Sequence, residues 1–206
     1  MNAQTTQFFL QGGAGQMQCA LNVPINQTPV GIALIAHPHP LYGGTMDNKV
    51  AQTLARTFVS MNYATARMNF RGVEKSEGLH DHGIGETDDM LVLLDHMRSL
   101  YPDVPVALAG FSFGTFVVSR LRKYLAEHQR AVQRLVFVGC AAGKWALEEV
   151  PADTIVIHGE QDDTIPLQDV FDWTRPQDIP VIVIPGADHF FHRKLHHIKN
   201  LVTALW

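Results

Sequence analysis

A doubly wound α/β arrangement, with a mostly parallel sheet flanked by helices on both faces, is predicted by three features of the chain. Short, unbroken apolar runs rich in β-branched residues recur at 32–36, 106–109, 135–138, 154–157 and 181–184. Helical patterns lie between them, and polar turns follow their ends. Unbroken rather than alternating apolar runs mark strands covered on both faces, and strand–helix–strand alternation is how a parallel sheet is wound.

Taken in order, the segment before residue 30 is polar and glycine-rich, with weak alternation over Gln16–Val23, and predicts an antiparallel pair at the sheet edge. The first buried strand is 32–36. Residues 48–61 place Val50, Leu54, Phe58 and Met61 on one helical face. Residues 63–70 alternate less cleanly and end as a strand does, in a polar turn. A helix over 86–100 opens with Glu86, Asp88 and Asp89, acids suited to the positive end of a helix, and turns Met90, Leu91, Leu94 and Met97 inward. Strand 106–109 leads into a helix at 113–128, and strands 135–138, 154–157 and 181–184 lead to a last helix at 189–204. No repeat, low-complexity tract or linker interrupts the 206 residues, so one domain over 1–206 is expected.

Composition excludes several function classes. With 16 basic and 20 acidic side chains the net charge is −4, so there is no basic footprint for nucleic acid or an anionic membrane. No apolar run approaches a membrane span, and the N-terminus lacks a basic leader region, its first charged side chain being Asp47. The two cysteines, Cys19 and Cys140, lie far apart and suit a reducing compartment, so a cytoplasmic location is expected. No phosphate-loop or dinucleotide fingerprint and no CxxC appears, which implies no cofactor. The 11 histidines include no HExxH spacing, which implies no metal.

The segment Gly110-Phe111-Ser112-Phe113-Gly114 falls where strand 106–109 must turn into helix 113–128. A serine on so tight a strand–turn–helix elbow is held out at the carboxyl end of the sheet, beside the positive end of the next helix. A serine hydroxyl is inert by itself. It needs an imidazole to take its proton and a carboxylate to orient that imidazole. Behind such an elbow the partners follow in the order acid, then histidine, and two later strand ends carry them. Strand 154–157 runs into His158-Gly159-Glu160-Gln161-Asp162-Asp163, where Glu160, Asp162 and Asp163 compete as the acid. Strand 181–184 runs into Gly186-Ala187-Asp188-His189, with His192, His196 and His197 following as surface positions on the last helix. His158 reads as a space-filling strand-end residue, and Cys140 as a small buried filler.

These motifs together resemble the small, lid-less proteins of the α/β-hydrolase superfamily that carry HPHPLYGG, GFSFG and GADHFF, a family of serine esterases and hydrolases. The matching stretches are His37–Asn48, Asn69-Phe70-Arg71-Gly72, Gly110–Gly114, His158-Gly159 and Gly186–Phe191, which span most of the chain in the expected order. The resemblance implies an α/β-hydrolase fold with a minimal cap or none. It maps the acid onto Asp162 through HGxxDxxxP, closed by Pro166, and the base onto His189. It departs from the superfamily at Glu74, which stands where the RGxGxSxG turn usually has glycine.

Acyl transfer needs amide donors aimed at the developing oxyanion. The Phe113 N–H, after the nucleophile, is one. For the other the superfamily's usual His-Gly is here His37-Pro38; proline has no N–H, so the donor falls to His39, framed by Pro38 and Pro40. The connection from Gly139 to Asp153 has room for a short helix at most, so an open cleft bounded by Leu41, Tyr42, Phe111, Phe113 and Trp145 is expected, unless the glycine-rich 72–85 loop or a partner subunit roofs it. The expected partner is a small acyl substrate; a homo-oligomer is left open.

Overall fold

The computed structural model describes residues 3–206. Eight strands form one sheet: β1 (Ala3–Gly12), β2 (Gly15–Pro24), β3 (Gly31–Ala36), β4 (Tyr63–Met68), β5 (Val106–Phe111), β6 (Arg134–Val138), β7 (Ile155–Gly159) and β8 (Val181–Ile184). Their spatial order is β1-β2-β4-β3-β5-β6-β7-β8. The β1–β2 hairpin is antiparallel and joins β4 antiparallel, and every other pairing is parallel. The edge hairpin and the parallel sheet expected from sequence are both present.

Five helices cover the sheet: α1 (Lys49–Ser60), α2 (Ile84–Leu100), α3 (Phe113–Glu127), α4 (Leu167–Thr174) and α5 (Leu195–Leu205). Side chains alternate between faces along a strand, and β3 shows the result. Ile32, Leu34 and Ala36 join the layer under α2, α3 and α4, whereas Ala33 and Ile35 join the layer under α1 and α5. Every residue of β3, β4 and β5 is buried, which is why those runs carry no polar alternation. No helix among the described residues is long and apolar enough to cross a membrane.

Besides shifts of one or two residues at strand and helix ends, the helices differ from the sequence expectation in three places. The last helix starts at Leu195, because Phe191 and Arg193 adopt positive φ of 54° and 62°; the stretch 189–194 is turns, held by the Phe191 and His192 amides donating to Asp188. The helix α4 was not anticipated, although Pro166 precedes it and Val170 and Thr174, one turn apart, form its buried side. The helix α2 starts at Ile84, so Glu86 lies in its first turn and accepts from the Gly83 amide at 2.8 Å. Inside that helix Leu93 is buried and Leu91 only half so.

Two acids at the start of α2 do more than offset a helix dipole. Glu86 and Asp89 are buried, whereas Asp88 is exposed. The Arg71 guanidinium donates from Nε and Nη2 to the two oxygens of Asp89 at 2.8 and 2.9 Å, tying the loop after β4 to α2. Removing Asp89 leaves the half-buried Arg71 with only its longer contact to Asp81 at 3.7 Å. Asp89→Ala should therefore lower the unfolding free energy by about 1–3 kcal/mol in urea titrations.

Candidate active site

The elbow between β5 and α3 is sterically dictated. A Cβ on Gly114 would lie 2.3 Å from the Ala36 carbonyl oxygen, and one on Gly110 would lie 2.6 Å from the Gly114 backbone. Only glycines allow β5, α3 and the end of β3 to meet so closely. Ser112 itself adopts φ 54° and ψ −125°, a conformation L-residues rarely take. Its backbone is pinned, the amide donating to Val138 O at 3.0 Å and the carbonyl accepting from the Thr115 amide and hydroxyl. The side chain is thereby projected above the carboxyl ends of the strands.

His189 and Asp162 reach the same point from the loops after β8 and β7. His189 Nε2 lies 3.0 Å from Ser112 Oγ, and His189 Nδ1 lies 2.7 Å from Asp162 Oδ2. The other Asp162 oxygen accepts from the Thr164 and Ile165 amides at 3.0 and 2.8 Å, so the carboxylate is fixed in place. With Asp162 accepting at Nδ1, the neutral imidazole keeps its proton there and offers Nε2 to the serine hydroxyl. The Phe111 ring packs at 5.0 Å against the imidazole.

The rival residues are elsewhere. Asp163 is exposed and turns toward the cleft, while Glu160 accepts from the Gly186 amide at 2.7 Å and ties two loops together. His192 is exposed and paired with Asp188 at 2.6 Å, which holds that carboxyl below its usual range. His196 and His197 are exposed on α5. His158 is buried, its Nε2–H donating to Ile165 O at 2.9 Å, and burial lowers its basicity. Cys140 is buried too, its thiol pushed up to about 12 by desolvation.

Beside Ser112 lies a cleft of about 460 Å³ lined by His39, Tyr42, Phe113, Trp145, Lys144 and Asp163, among others. Tyr42 and Trp145 thus fall where the sequence puts them. Two expected wall residues do not. Phe111 is fully buried behind the imidazole, because β5 residues are covered on both faces, and Leu41 points to solvent at the loop tip, 69% exposed. Lys144, Asp163 and Thr164 were missed; the signal available was only that they follow the carboxyl ends of β6 and β7. The connection 139–154 forms no helix over the cleft. Instead Trp145 lies down against Phe113 and Phe116, at 4.9 and 5.2 Å, and leaves the cleft open. The Phe113 and His39 amides, at the cleft wall, donate to no group among the described residues. No group of three or more His, Cys, Asp or Glu side chains among the described residues is placed to hold a metal ion.

Residues 41–152 match the family model Hydrolase_4, described as serine aminopeptidase, S33. The chain belongs to this hydrolase family. It is also 33% identical over 182 residues to an uncharacterized protein of Rickettsia prowazekii, covering 84% of this chain and 76% of that one. Among solved structures it resembles an a/b serine hydrolase without lid from Xanthomonas campestris, with TM-score 0.90 and 32% identity over 100% of this chain and 94% of that one. An alpha-beta serine hydrolase homologue from Coxiella burnetii gives TM-score 0.86 and 32% identity, covering 97% and 96% of the two chains. This hydrolase is thus a small member of the α/β-hydrolase superfamily with a lid-less architecture.

One histidine at this hydrolase's site is structural. His37 is buried, its Nδ1–H donating to Pro38 O at 2.6 Å and its Nε2 accepting from the Phe70 amide at 2.9 Å. Burial lowers its pKa from 6.5 to about 3. The unfolded chain therefore binds a proton at His37 that the native protein refuses. This contribution to stability is complete above pH 6.5 and is lost as pH falls from there toward 3, by about 1.4 kcal/mol per pH unit. Urea titrations at stepped pH should show that decline, and His37→Gln should flatten it.

Proposed function

We propose that this protein is a serine hydrolase cleaving a carboxylic ester or related acyl bond of a small substrate, with Ser112 as nucleophile, His189 as general base and acid, and Asp162 orienting the imidazole. The observation that carries this reading is the hydrogen-bonded chain Asp162–His189–Ser112, at 2.7 and 3.0 Å, opening on the cleft. Ser112 Oγ attacks the carbonyl carbon while its proton passes to His189 Nε2. The Phe113 and His39 amides stabilise the oxyanion, the imidazolium returns the proton to the leaving group, and water, activated by the same imidazole, releases the acyl group. The two free, buried cysteines fit action in a reducing compartment such as the cytoplasm.

An open cleft without a lid favours short acyl groups. Each methylene that stays buried adds about 0.8 kcal/mol of binding, and a chain that leaves the cleft gains nothing more. Across p-nitrophenyl esters of graded length, kcat/KM should peak at short chains, with no activation at a lipid interface. Efficiency that climbs through long-chain esters would contradict the open-cleft reading. Ser112→Ala and His189→Ala should each lower kcat by several orders of magnitude. Asp162→Asn should cost roughly a thousandfold or more, by analogy with triad enzymes, and Asp163→Asn far less. A reversed ranking would assign the orienting role to Asp163.

A second reading follows from Asp163. It is the one carboxylate among the named cleft-lining residues, and the family description names an aminopeptidase, whose substrate carries an ammonium beside the scissile amide. On that reading aminoacyl amides outrun acyl esters, and Asp163→Asn raises KM for them.

A further inference from the structure

Behind the cleft wall lies a second histidine–carboxylate pair that the mechanism above does not use. Glu86 is fully buried at the start of α2, yet its carboxylate accepts three donors: His80 Nδ1–H at 2.8 Å, the Asp81 amide at 3.0 Å and the Gly83 amide at 2.8 Å. The two amides alone would cap the helix. The imidazole is additional, and its side chain is only 6% exposed. A phenylalanine there would fill the same space without a polar ring to desolvate. The ring centroid of His80 lies 4.8 Å from that of His39 and 5.5 Å from that of Phe113. It thus packs against both residues assigned above as oxyanion donors.

The carbonyl of His39 is fixed by the Tyr42 and Gly44 amides, at 3.2 and 3.0 Å, but its ring is held mainly by packing. The residue sits in a loop between two prolines, its Nδ1 accepts from the Leu41 amide at 3.2 Å, and its other ring contacts are Tyr42, Phe113 and Trp145 at 4.7 to 5.4 Å. Tyr42 is 86% exposed, so it provides no fixed backing. A ring anchored by a hydrogen bond to a buried, immobile carboxylate can locate His39; a freely rotating ring cannot.

We infer that His80, clamped by Glu86, is a positioning residue that fixes His39 and Phe113 for oxyanion stabilisation, an inference that rests on the reading of those two amides given above. Small displacements of a stabilising donor cost rate without costing substrate affinity, because the donor acts on charge that develops in the transition state.

The test compares wild type with His80→Phe, which keeps a ring of similar shape and loses the bond to Glu86. His80→Gln serves as a second variant should the first fold poorly. The readouts are kcat and KM for a short-chain p-nitrophenyl ester, the inhibition constant of a trifluoromethyl ketone that forms an oxyanion on the serine, and Tm. A fall in kcat of roughly tenfold to a hundredfold is expected, with KM nearly constant and the ketone weakened by the same factor. Unchanged kcat and ketone affinity would overturn the inference. So would a loss that appears equally in KM and Tm while ketone binding merely follows substrate binding. Failure of the underlying reading has a separate signature, since Ser112→Ala would then keep its activity and the ketone would not inhibit wild type.

Discussion

Steric crowding where β5 passes into α3 is the constraint on which the rest of the site depends. Gly110 and Gly114 allow the turn to close against the carbonyls at the end of β3, with gaps that no side chain could occupy. The closure forces Ser112 to positive φ, and the cost is offset by the surrounding sheet, by the Ser112 amide's bond to the Val138 carbonyl and by the bonds its own carbonyl accepts from Thr115. The same closure puts the first amides of α3 beside the loop after β3. Ser112, the helix end and His39 are thus brought together by one backbone contact before any side-chain chemistry is considered.

The histidines show how environment assigns different tasks to one side chain. His37 is locked neutral between two backbone groups and ties the β3 loop to the chain after β4. His158 is buried against Ile165 and sits 3.4 Å from Asp162, filling space under the acid's loop. His189 is bonded at both nitrogens, to a fixed carboxylate and to a hydroxyl, which is the arrangement a proton carrier needs. His80 is held by a carboxylate but touches rings rather than a nucleophile. By contrast, His196 and His197 are exposed on α5.

Much of this was legible in the chain. Unbroken β-branched runs reflect coverage on both faces in β3, β5, β6 and β7, whereas β8 carries such a run at the sheet edge with three of its four residues only half-buried; the elbow motif located Ser112 because its spacing is a backbone requirement. Choosing Asp162 over Asp163 came from motif register. The structure puts them on different sides of the loop, one bonded to His189 and the other facing the cleft. What stayed hidden depends on contacts distant in sequence. Phe111 reads as a cleft residue beside the serine, but it ends a strand covered on both faces and packs into the layer under α1 and α5, behind the His189 ring. Lys144 and Thr164 line the cleft only because the loops after β6 and β7 converge there. Glu86 looks like an ordinary helix-start acid, and nothing local reveals that it is buried under His80. The short α4 was missed because only Val170 and Thr174 of its eight residues are buried.

The central claim is that Ser112 is a nucleophile activated by His189. Covalent labelling tests it most directly: wild type, Ser112→Ala and His189→Ala are treated with a fluorophosphonate, and the modified residue is located by peptide mass spectrometry. The account predicts a single adduct on Ser112 in wild type, none in Ser112→Ala, and labelling slowed by orders of magnitude in His189→Ala. An adduct on another residue, or equal labelling of wild type and Ser112→Ala, would contradict it.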